Sequence, residues 1–117
     1  MKAATIRRFD RPDETRRFEK GRFELVQIGA VTVGRASYEP GWKWSAHVGP
    51  TAGTKSCQVE HVGLVVSGRC RVVMDDGTAF SLNPGDLFHI APGHDSWVEG
   101  AEPYVSLHFL GAERYAT

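Results

Sequence analysis

Glycine and proline interrupt this chain about every ten residues from Phe23 onward. The breaks are Pro40-Gly41, Gly49-Pro50, Ser67-Gly68, Asp76-Gly77, Asn83-Pro84-Gly85 and Pro92-Gly93. Between them lie short runs rich in β-branched and aromatic residues, and none sustains a 3.6-residue apolar period over three turns. Such spacing leaves no room for a layer of helices. It predicts roughly nine short strands: 23–28, 30–38, 42–47, 57–66, 69–74, 78–82, 86–90, 96–99 and 104–110. That is the pattern of an all-β sandwich or barrel. Ser67-Gly68 is expected to be a tight hairpin turn, and Asp76-Gly77 a type I′ turn with two positive φ angles.

The first twenty residues differ from the rest. They are charged and poorly periodic, with Phe9 and Phe18 as the side chains able to pin them to the body. Residues 1–20 are therefore expected to form a solvated arm, with a short helical turn near Asp13–Phe18, and 21–117 a single barrel domain. The 117 residues suit one domain, and 41% hydrophobic with 24% charged content suits a packed soluble one. Fourteen basic and fourteen acidic residues give a formal net charge of zero, which removes the electrostatic case for nucleic acid. No apolar run reaches the ~20 residues of a membrane span. The N-terminus lacks the apolar stretch of a signal peptide. The expected setting is the cytoplasm.

Cys57 and Cys70 are too few for a disulfide scaffold. With a hairpin at Ser67-Gly68, Cys70 faces Val65, and Cys57 lies about 26 Å further along its strand. A disulfide needs Cα atoms within about 7 Å, so both are expected to be free thiols.

The turns and histidines together resemble the cupins. Their two motifs read G(X)5HXH(X)3–4E(X)6G and G(X)5PXG(X)2H(X)3N, with three histidines and the glutamate holding a divalent metal inside a double-stranded β-helix. The resemblance spans Gly41 to Gly100. Counting back from Gly68, His61 stands where the family places glutamate, Cys57 at the second histidine and Lys55 at the first. A second register, starting at Gly41, makes His47 the first-histidine equivalent, with residues 48–56 as an inserted loop that orders on metal binding. In the second motif Gly85-Asp86 and Pro92-Gly93 match. The strict spacing reaches Ser96, while His94 follows Gly93 directly. The resemblance implies an all-β, jelly-roll cupin barrel.

It also implies a metal site, for which His47, Cys57, His61 and His94 are the candidates. Imidazole nitrogen and thiolate sulfur suit zinc first, with iron, manganese or nickel as alternatives. On a straight strand Cys57 and His61 would lie about 13 Å apart. Both can bind one ion only if the chain bends in Gln58-Val59-Glu60; otherwise His61 is the better ligand. Each candidate has a plainer reading: Cys57 as core packing, His61 as a buried neutral histidine, His94 as a turn residue, His47 as a loop residue. His89 and His108 are taken as bystanders, with His108 able to line the barrel. Tyr38, Trp42, Trp44 and Trp97 line either a ligand mouth or, preferably, the core or a dimer contact.

Three functions remain open. The first is a binding or sensing module for a small molecule, with a metal that does not turn over substrate. The second is a metal-dependent enzyme such as a dioxygenase or isomerase, with Glu60, His108 or Lys55 as base. The third is a metal-free oligomeric barrel. A homodimer is expected from the resemblance.

Overall fold

A computed structural model describes residues 3–117. Nine strands are described: β1 (Glu14–Phe18), β2 (Gly21–Ile28), β3 (Val31–Tyr38), β4 (His61–Ser67), β5 (Arg69–Met74), β6 (Ala79–Leu82), β7 (Leu87–Ile90), β8 (His94–Glu99) and β9 (Tyr104–Leu110). Two short helices, α1 (Trp44–His47) and α2 (Gly49–Ala52), precede β4, and a 3-10 turn (Ala112–Arg114) follows β9. The strands form two antiparallel sheets, ordered β1-β2-β3-β9-β4-β7 and β6-β5-β8. The sheets face each other across one core as a jelly-roll barrel, the all-β class expected. No helix of the described residues is long and apolar enough to cross a membrane.

Several local expectations are corrected. Residues 14–18 pair with β2, so Phe18 faces Gly21 in an edge strand where a helical turn was expected. Phe18 packs toward Tyr38 and Trp42, and Phe9 lies under the Arg35 guanidinium. Residues 42–47 are no strand: Trp44–His47 winds into α1, where the Asp95 carboxylate accepts the Ser45 N–H at 3.0 Å. That bond supplies a helix-end acceptor that local sequence does not. Trp42, Trp44 and Tyr38 are core residues, and Tyr38 stacks on Trp42 at 3.7 Å.

Ser67-Gly68 is not a hairpin. β4 belongs to the larger sheet and β5 to the smaller, so Gly68 is the corner where the chain changes sheets. Its φ of 75° lies in the left-handed region, and a Cβ there would sit 2.2 Å from the Pro103 carbonyl oxygen. The Cys57–Cys70 separation inferred from that hairpin loses its basis, though both cysteines are free and buried. The β5–β6 turn is also of another type. Gly77 N–H donates to the Met74 carbonyl, Met74 N–H donates to the Thr78 carbonyl, and only Gly77 has positive φ. This is a three-residue loop with glycine at its left-handed position rather than type I′.

Gly68→Ala is expected to lower the thermal midpoint by several degrees, because left-handed φ costs a non-glycine residue about 1–2 kcal/mol before any clash is counted. Gly77→Ala, with open space around its Cβ position, should cost only the backbone strain. Thermal melts of the two variants check this; equal losses would remove the corner assignment.

Candidate metal centre

The inner lining follows from strand alternation. On β4 the buried positions are His61, Gly63 and Val65; on β9 they are Tyr104, Ser106 and His108. β4 and β9 are neighbours, with Gly63 opposite His108, so His61 and His108 both face the interior. Their rings meet edge to face at 5.1 Å. Gly63 lets the Leu107 backbone and the Phe88 ring come close, since a Cβ there would sit 2.2 Å from the Leu107 carbonyl oxygen and 2.5 Å from the Phe88 ring.

Cys57 reaches the same place by a separate route. Residues 58–60 are not strand, and β4 begins only at His61. The expected strand over 57–66 is thus broken at Gln58-Val59-Glu60, where the bend was required. Cys57 instead makes an isolated bridge to the start of β8: its N–H donates to the His94 carbonyl at 2.7 Å and its carbonyl accepts the Gly93 N–H at 2.7 Å. The Cys57 Sγ lies 3.6 Å from His61 Nε2. One ligand atom from each of Cys57, His61 and His94 lies within 4.8 Å of the others.

His94 is oriented by its backbone. Its Nδ1–H donates to the Ala91 carbonyl at 2.8 Å, which leaves Nε2 with its lone pair. Such a carbonyl partner is the usual way a ligating histidine is held. All three side chains are buried, at 1%, 4% and 3% exposure. Burial holds the imidazoles neutral, the form that ligates: His61 falls to about 2, helped by the nearby His108 and His94, and His94 is also lowered. Burial pushes the Cys57 thiol up to about 11.

The donors fit a borderline-soft divalent ion. His61 Nδ1 is buried with no hydrogen-bond partner, a cost of about 1–3 kcal/mol that native interiors rarely carry without reason. Sulfur and two imidazoles supply no hard oxygen, and a cation would offset the desolvation that keeps Cys57 protonated.

His47 does not join this group. Its Nδ1 accepts the Lys43 N–H at 3.0 Å, and its Nε2 lies 3.9 Å from a Glu19 carboxylate oxygen. α1 carries the imidazole away from the cluster. Glu60 and His89 pair with each other on the outside at 2.7 Å, both half-exposed, and Lys55 is exposed. Of the three bases considered, only His108 lies inside. Its Nε2 bonds Ser106 Oγ at 2.9 Å, its Nδ1 is buried and unpartnered, and burial lowers its pKa to about 4. Tyr115 closes the group, its ring 5.3 Å from His61 and its hydroxyl 2.6 Å from that of Tyr38. No sequence signal marked Tyr115, because it lies after the last strand and meets His61 only in three dimensions. The cavity beside His61, His94 and His108 is about 40 Å³.

Comparisons with known proteins agree on the fold. The sequence profile of the EutQ-like cupin domain matches residues 35–107, more than half of the chain. No curated protein matches it in sequence. A conserved protein with a double-stranded β-helix domain from Klebsiella pneumoniae superimposes with a TM-score of 0.60 at 17% identity, over 95% of this chain and 92% of that one. A protein of unknown function from Rhizobium leguminosarum gives 0.59 at 22% identity, over 78% and 80%. Oxalate decarboxylase from Bacillus subtilis gives 0.58 at 21% identity, over 85% of this chain but 27% of that larger one.

The buried histidines make stability acid-sensitive. Unfolded, each titrates near 6.5; folded, His61 and His108 stay neutral to about 2 and about 4. Below pH 6 the unfolded chain therefore binds more protons, and stability falls with pH. The pair is expected to contribute roughly 2 kcal/mol per pH unit between about pH 6 and pH 4. Urea melts of chelator-treated protein across that window check the slope, and His108→Gln should roughly halve it.

Proposed function

The chain belongs to the EutQ-like cupin domain family, and from that premise we propose that it is a binding or sensing module holding one divalent metal through Cys57, His61 and His94. The observation that carries this is the convergence of those three buried donors within 4.8 Å. Zinc suits a thiolate with two imidazoles best; iron and nickel are next, and manganese prefers oxygen donors that this set lacks. When bound, such an ion supplies Lewis acidity to a ligand at its remaining position. The chain's own residues do the rest. His94 is aimed by the Ala91 carbonyl, His61 is held among aromatic rings, and Cys57 is clamped to β8. The small-molecule ligand meets an interior that excludes bulk water.

One observation favours a second reading, a metal-dependent enzyme. The protein supplies three donors rather than four, and a small cavity with His108 on its wall adjoins them. Three donors with an open position are the arrangement of catalytic sites, and four that of structural ones.

Exposed apolar side chains support a homodimer. Leu87 on β7, Val66 on β4 and Phe109 on β9 are 77%, 50% and 42% exposed. They sit on adjacent strands of the larger sheet and point outward by alternation. Two free thiols support a reducing, cytoplasmic setting.

Untagged protein is expected to carry stoichiometric metal by elemental analysis. Cys57→Ser and His61→Gln should lose most of it, and His47→Gln should keep it. Metal-free protein that cannot be reconstituted would end the reading. Leu87→Glu is expected to shift the protein toward monomer in light scattering; a wild-type protein already monomeric would remove the dimer.

A further inference from the structure

The cluster is closed. Its three residues are almost fully buried, and the cavity beside it holds on the order of two or three waters. Any ligand of organic size needs an opening, and two cavities lie on either side of a shared wall. The interior cavity and a second one of about 330 Å³ share Trp44 and Tyr115 as a common wall. The second cavity includes Cys57 and Val59 and reaches the surface at exposed Thr51, Thr54 and Arg114.

The two wall residues are held differently. Trp44 sits in α1, which is fixed to β8 by the Lys43–Trp97 bridge and the Ser45–Asp95 bond. Tyr115 belongs to no strand. It is carried by the segment after β9, which leaves the sheet at Gly111 and makes a single 3-10 turn. That segment is tied down from outside by one residue. The Arg16 guanidinium donates to the carbonyls of Ala112 (3.2 Å), Glu113 (3.0 Å) and Tyr115 (2.7 Å). Inside, the Tyr115 hydroxyl bonds only that of Tyr38. Ala116 next to it holds a positive φ of 55°, a conformation costly for a residue with a Cβ.

We propose that segment 111–117 is a gate over the metal centre: Tyr115 withdraws from Tyr38 toward the outside, the two cavities join, and Arg16 sets how often this happens. The larger cavity then receives the body of a small-molecule ligand, while a head group of about two or three non-hydrogen atoms reaches the cluster. What the gate guards rests on the metal-binding reading above; the route rests on geometry alone.

The test uses Cys70, which lines the interior cavity behind Tyr115, as reporter. In metal-free protein carrying Cys57→Ala, Cys70 is the sole thiol, and its reaction with an aromatic disulfide reagent measures opening. Arg16→Gln and Tyr115→Ala are expected to speed labelling about tenfold or more, since each removes charge-assisted contacts or the barrier itself. Tyr115→Phe, which loses only the hydroxyl bond, should fall between them and the parent. Urea melts identify any variant that no longer folds, and Arg16→Gln, which leaves the core intact, keeps the question open to an answer. Labelling at the parental rate in Arg16→Gln and Tyr115→Phe would overturn the gate, as would rates that follow global unfolding in urea. Because the thiol measurement uses no metal, it decides the route even if the protein binds none. Conversely, if zinc binds but a chelator removes it from Arg16→Gln and Tyr115→Phe with Cys57 intact at the parental rate, the gate falls and the metal reading stands.

Discussion

Two backbone hydrogen bonds between Cys57 and the Gly93-His94 turn hold the centre of this molecule together. Cys57 comes from the connection into β4 and His94 from the first residue of β8, on opposite sheets. Their pairing joins the sheets on one side of the barrel and sets the thiol beside the imidazoles. It also frees residues 58–60 to bend, so that His61 can enter β4 facing inward. Without that bridge, Cys57 would either continue β4 at a straight-strand distance from His61 or remain in a surface loop.

Bringing donors into an apolar interior has an electrostatic cost, and the pattern of protonation shows how it is met. The imidazoles stay neutral and the thiol stays protonated, so the cluster carries no unpaired buried charge. The same neutrality leaves His61 Nδ1 and His108 Nδ1 unpartnered. A cation bound there would have to displace the Cys57 proton, which burial otherwise holds in place. The three residues that converge offer nitrogen and sulfur, with no carboxylate among them. The barrel is shared with relatives of diverse description, so the donors, rather than the fold, distinguish this chain.

Much of the architecture was legible in the chain. The turn glycines at 85 and 93, the short strand-forming runs between the turns and the likeness to the cupin motifs all led to the jelly roll. What misled was local. Trp42–His47 carries strand-forming residues, yet an acceptor from Asp95, fifty positions away, makes α1. Ser67-Gly68 looks like a hairpin, yet the Pro103 backbone occupies the space beside Gly68. His47 stood beside Cys57, His61 and His94 as a candidate because spacing alone does not say which way a side chain faces.

The sequence by itself determined the fold class, the free cysteines' small number and the short inventory of residues able to bind a metal. These depend on periodicity, turn chemistry and residue type, which are local. Only the tertiary structure decided which of those residues meet. Contacts such as Cys57 with His94, His61 with His108, and Arg16 with the carbonyls around Tyr115 join segments far apart in the chain. They are selected by the packing of two sheets around one core, where a bend of three residues brings in one donor and a turn of helix carries another away.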